Sequence, residues 1–118
     1  MKKLFFIVCV SALTMISCAP KTTLYTWNGY DNSSYNYLKN RDEKSQTELI
    51  ETYNKIISKQ KGTRNTVPPG IYADYGFLLV QSGKVNEGIK MLKMEVSLYP
   101  ESAKFVNNII KTYENESK

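Results

Sequence analysis

The chain has 118 residues, enough for one small domain, with nine tyrosines, two cysteines and no histidine. Without histidine it lacks the usual zinc or copper ligand and the general base of serine and cysteine triads, and it has no glycine-rich phosphate loop. The formal charge of +5 is spread along the chain without a dense basic block, which argues against nucleic acid as a partner.

The N-terminus carries the clearest signal. Lys2 and Lys3 precede an uncharged apolar run at residues 4–16, followed by Ser17 and Cys18. A charged start, a short apolar stretch and a small-residue exit predict a secretory signal peptide over residues 1–17. The run is shorter than the roughly 20 residues that span a bilayer as a helix. Met15-Ile16-Ser17-Cys18 resembles a bacterial lipobox, with methionine where leucine is commoner. That resemblance implies cleavage before Cys18, diacylation of its thiol and acylation of the new N-terminus. Two or three chains anchor stably where one is marginal. Ala19 in place of aspartate after the cysteine implies sorting to the outer membrane, with the domain on the periplasmic face. Cys9 lies inside the apolar segment, so no intrachain disulfide is expected in the mature chain. Of 118 residues, loss of 17 leaves 101, and 14 basic side chains then face 11 acidic ones.

Residues 18–30 read as a lipidated linker that ends in an aromatic cluster. Tyr25, Trp27, Tyr30, Tyr35 and Tyr37 stand among otherwise polar residues. Asp31 is the expected N-cap of a short helix over residues 32–40, with Tyr30 and Tyr35 placed as a hydrophobic staple. Leu49, Ile50, Tyr53, Ile56 and Ile57 recur at helix period and predict a helix over residues 43–61, stopped at Gly62. Asp42, Glu43, Glu48 and Glu51 fall on its polar side, where solvated charge is the ordinary reading. Pro68 and Pro69 require a loop. Helices follow at residues 71–82 and 85–98. A last helix at residues 101–114, opened by Pro100, carries a stripe of Phe105, Val106, Ile109 and Tyr113. Residues 115–118 are expected to fray.

Within residues 69–102 the spacing of Tyr72, Tyr75, Gly76, Leu79, Gly88, Leu92 and Pro100 resembles one tetratricopeptide repeat. The glycines let two antiparallel helices approach, and Tyr72 and Leu92 fill the gap between them. Glu95 occupies a position usually held by alanine, which predicts looser, more solvent-exposed packing there. A single repeat cannot bury its own face, so the flanking helices must complete it. The expected fold is therefore all-α, a tetratricopeptide-like antiparallel stack of four to five helices over residues 31–114.

The repeat resemblance implies an inner-groove face at Ala73, Phe77, Val80 and Gln81. Large apolar side chains such as Phe77 and Val80 are not left bare without reason. Two readings of the aromatics stand. Trp27, Tyr30 and Tyr35 cover Phe77 and Val80 and complete a core, or Trp27 and Tyr30 join Ala73, Phe77, Val80 and Gln81 in an open groove for a partner. A cell-wall glycan platform is a weaker third reading, since few amide and acidic groups surround the rings.

The mature chain also resembles a family of small bacterial lipoproteins catalogued as a domain of unknown function. The residues concerned are Leu24-Tyr-Thr-Trp-Asn-Gly-Tyr30, Tyr35-Asn-Tyr37 with Lys39-Asn40, Val67-Pro-Pro-Gly-Ile-Tyr-Ala-Asp-Tyr-Gly76 and Tyr99-Pro-Glu-Ser102. This resemblance implies an outer-membrane address and an assembly role beside a curli-secretion-type pore lipoprotein; it implies no activity. The expected function is that of a non-catalytic adaptor or assembly factor. Its partners would be the membrane, through acyl chains on Cys18, and an envelope protein. No cofactor, metal or nucleic acid is expected. A structural lipoprotein with a self-filled groove is the alternative.

Overall fold

The computed structural model describes residues 1–3 and 22–116. Cys18 and most of the expected leader lie outside the described residues. Five α-helices follow in chain order: α1 (Tyr30–Asn40), α2 (Glu43–Ser58), α3 (Ile71–Gln81), α4 (Val85–Leu98) and α5 (Ala103–Glu116). A 3₁₀ turn at Pro100–Ser102 joins the last two, and the described residues contain no strand. The described residues are all-α, as expected.

Local chemistry sets the boundaries. α1 begins at Tyr30 behind Gly29, which takes a left-handed conformation (φ 79°), so Asp31 is not the N-cap but a first-turn acid favoured by the helix dipole. The earlier start also removes the expected staple. Tyr30 and Tyr35 fall about 140° apart on the helix, and Tyr35 is left exposed. α2 does have a side-chain cap, because Asp42 Oδ1 accepts the Ser45 N–H at 2.8 Å. α5 runs to Glu116, beyond the expected end. Its buried stripe is Val106 and Ile110 with Ile109. Phe105, about 100° round the helix from Val106, is 70% exposed and does not belong to the stripe.

Packing proceeds by neighbours. α1 runs antiparallel to α2, so that Tyr30 at its start meets Tyr53 late in α2, with ring centroids 5.8 Å apart. Tyr53 in turn stacks on Tyr75 of α3 at 5.1 Å. Leu49, Tyr53, Ile56, Val67, Ile71, Tyr72 and Leu78 form one buried cluster, and Leu92, Val106 and Ile110 form a second between α4 and α5. α3 lies between the two clusters. It approaches α4 so closely that a Cβ on Gly76 would stand 2.8 Å from the Gly88 carbonyl oxygen, and one on Gly88 only 2.6 Å from that of Gly76.

Glu95 overturns the expectation of loose packing. It is 2% exposed, and its carboxylate accepts the Gly70 N–H at 2.7 Å and the Ala73 N–H at 3.3 Å. Gly70 has no side chain to cap α3, so a residue 25 positions later supplies the anion that the free N–H groups attract. One turn on, the Tyr99 hydroxyl donates to the Val67 carbonyl at 2.6 Å. Glu95 of α4 and Tyr99, the residue just after it, thus grip the Val67–Gly70 loop twice, and this fixes where α3 begins.

Candidate functional site

Between α1, α2 and α3 lies a cleft of about 420 Å³. α2 contributes the floor through Leu49 and Tyr53, both buried. Tyr30 closes one end. Its ring lies against Tyr53, and its hydroxyl donates to Asp74 Oδ2 at 2.6 Å, tying α1 to α3. Burial, then the Asp74 carboxylate, pushes the Tyr30 phenol up to about 12. Burial and the neighbouring Tyr30 and Asp74 raise Tyr53 as well. Both hydroxyls therefore stay neutral at ordinary pH.

The lining is mixed: apolar side chains stand with Ser34, Gln81, the Arg41 guanidinium and the Asp74 carboxylate. Leu38 from α1 is 62% exposed and Phe77 from α3 is 40% exposed, with Arg41 and Gln81 on the same cleft. Apolar side chains around a formed cavity can seat an apolar group, although single exposed hydrophobics such as Phe105 are ordinary elsewhere on the surface. A guanidinium beside them provides a fork for a carboxylate.

Of the six residues expected in the groove, Tyr30, Phe77 and Gln81 line this cleft. Val80 does not. It is 4% exposed, and its Cγ1 lies 2.5 Å from where a Cβ would stand on Gly88. Ala73 packs on the Leu92–Val106–Ile110 cluster. Ala73, Gly76 and Val80, spaced i, i+3 and i+7, form the face of α3 that meets α4. Asp74, Phe77 and Gln81 repeat that spacing one residue later, about 100° round the helix, and face the cleft. Trp27 also lies outside the cleft lining. Its ring meets Tyr25 at 6.2 Å and Tyr30 at 6.0 Å. The reading in which Trp27, Tyr30 and Tyr35 cover Phe77 and Val80 is corrected accordingly: Tyr35 and Phe77 are exposed, and α4 is what buries Val80.

Sequence reasoning missed Leu38, Arg41 and Asp74. Asp74 was within reach, since it shares a helical face with Phe77 and Gln81. Leu38 and Arg41 become site residues only through the way α1 folds back on α2.

Elsewhere, Glu43, Glu48 and Glu51 lie exposed along the outer face of α2. Among the described residues no group of histidine, cysteine and carboxylate side chains is placed to hold a metal ion. No described helix is long and apolar enough to cross a membrane. No curated protein and no solved structure matches the chain. A family model matches residues 24–109, most of the chain, from the Leu24–Tyr30 aromatic segment through the first half of α5. By that match the chain belongs to the family described as a domain of unknown function, DUF4810.

Proposed function

We propose that the protein is an outer-membrane lipoprotein, acylated at Cys18, that works without catalysis as an adaptor or assembly factor for an envelope protein. In this reading α3 and α4 are a tetratricopeptide-like unit, and the cleft that α3 shares with α1 and α2 seats an apolar segment of the partner. The observation that carries the proposal is the exposure of Leu38 and Phe77 in the lining of one cleft that also holds Arg41. An apolar anchor from the partner would bury both side chains, and a nearby acidic group would meet Arg41. Acyl anchoring would raise the effective concentration of such a modest interface next to other membrane-bound proteins. The resemblance to lipoproteins beside curli-secretion-type pores favours an assembly of that kind as the partner.

The test is a crosslinking pull-down from membranes with wild type, Phe77→Asp and Leu38→Asp. Both sites are exposed, so both variants should keep their helical circular dichroism. A partner lost from both variants supports the cleft; identical partner sets from all three proteins would refute it.

A further inference from the structure

The segment that leads into α1 is bound tightly to the loop after α2. The Thr63 N–H donates to the Thr23 carbonyl at 3.0 Å, and the Arg64 N–H to that of Leu24 at 3.1 Å. Thr26 is held at three points. Its N–H donates to Gln60 Oε1 at 3.1 Å, its carbonyl accepts Gln60 Nε2 at 2.9 Å, and its Oγ1 accepts the Lys61 N–H at 2.9 Å. Contact is so close that a Cβ on Gly62 would strike the Leu24 carbonyl oxygen. Arg64 then reaches over the Tyr25 ring, 6.0 Å from its centroid.

The clamp segments are basic in sequence. Lys59, Lys61 and Arg64 are exposed, and no carboxylate occurs in residues 22–30 or 59–70. From Cys18 onward 14 bases face 11 acids, and three of those bases fall in residues 59–64.

We infer that the clamp face, with Lys59, Lys61 and Arg64, docks on anionic phospholipid headgroups and sets the orientation of the domain on its membrane. The inference rests on the acylation of Cys18. Cys18 stands five residues before Thr23, and an extended chain spans at most about 3.6 Å per residue, so the pinned segment stays within about 18 Å of the anchor. The surface potential of a membrane decays over about 10 Å at moderate salt, so a tether of this length keeps the clamp near the range in which cations feel it. Each basic side chain held there favours the docked state about fivefold. Because five hydrogen bonds hold the segment to the domain, this attraction acts on the whole helical body and not on a loose tether.

Trp27, the only tryptophan, lies in this segment and is 42% exposed, so its fluorescence reports the distance to the membrane. The acylated full chain is reconstituted into phosphatidylcholine vesicles with and without one-third phosphatidylglycerol. Quenching of Trp27 by headgroup-spin-labelled lipid is measured on the vesicle-floating fraction. Expected are stronger quenching with phosphatidylglycerol and its loss in molar salt. In a Lys59→Gln, Lys61→Gln double variant that still floats, the docked-to-free ratio should fall about 30-fold. A protein that floats but shows the same quenching in both lipid mixtures and in the double variant overturns the docking while leaving the anchor intact. A protein that does not float overturns both.

Discussion

Replacing Glu95 by glutamine tests whether a buried anion on α4 sets the start of α3. Glutamine keeps the shape of the side chain but removes its charge and replaces one of the two accepting oxygens by an NH₂ group. Either the Gly70 N–H, now at 2.7 Å, or the Ala73 N–H, at 3.3 Å, would then face a donor. A hydrogen bond to a charged group contributes about 1.5–3 kcal/mol, and a buried donor left unpaired costs about 1–3 kcal/mol. Loss of the charge at the helix N-terminus adds up to about 2 kcal/mol. These contributions overlap, so a net destabilisation of about 2–4 kcal/mol is expected from the low end of each. In a domain of this size 1 kcal/mol shifts the melting temperature by roughly 4–8 °C, so the variant should melt about 10–25 °C lower. Thermal unfolding followed by far-ultraviolet circular dichroism gives the number directly. Glu51→Gln, the same change at an exposed site on α2, is the control and should stay within about 0.5 kcal/mol of wild type. If Glu95→Gln melts within a few degrees of that control, the cap is not what holds α3 in place.

Three further outcomes follow from the geometry. Gly88→Ala places a methyl 2.5 Å from Val80 Cγ1 and 2.6 Å from a backbone oxygen; chemical denaturation should show a loss of about 1–3 kcal/mol or more, because backbone cannot yield as a side chain end does. Asp42 has its carboxyl held below the usual range by the Ser45 side chain and N–H. Its contribution is therefore present above the unfolded value and lost as pH falls through the folded one, so the melting difference between Asp42→Ala and wild type should shrink in acid; an unchanged difference would contradict the cap. Tyr30 and Tyr99 are both raised to about 12, chiefly by burial. Their stabilisation is complete below the unfolded phenol value near 10 and is lost as pH rises from there towards 12. Ultraviolet titration of the tyrosines should show a late-ionising fraction, and Asp74→Asn should move the Tyr30 part of it down. A single transition near 10 for every tyrosine would refute that account.

The helices are legible in the sequence because their signals are local. Apolar spacing at 3.6 residues marks α2 and α5, and Pro68-Pro69-Gly70 ends one segment and permits the next, whereas Asp42 reads as solvated charge until the structure shows it capping α2. The approach of α3 to α4 was legible too, since Gly76 and Gly88 face each other across a turn centred between them. Which way each face turns depends on how the helices pack together. On α3, Val80 and Phe77 are both apolar, yet neighbouring helical stripes differ by about 100° and α4 covers only one of them. It buries Val80 and leaves Phe77 to the cleft. Glu95 looks like a mismatch in any local window, because the N–H groups it satisfies belong to Gly70 and Ala73, more than twenty residues earlier. The clamp of residues 23–26 on residues 60–64 is equally invisible locally: two irregular segments of polar side chains carry no period, and their pairing exists only once α1 and α2 have folded against each other.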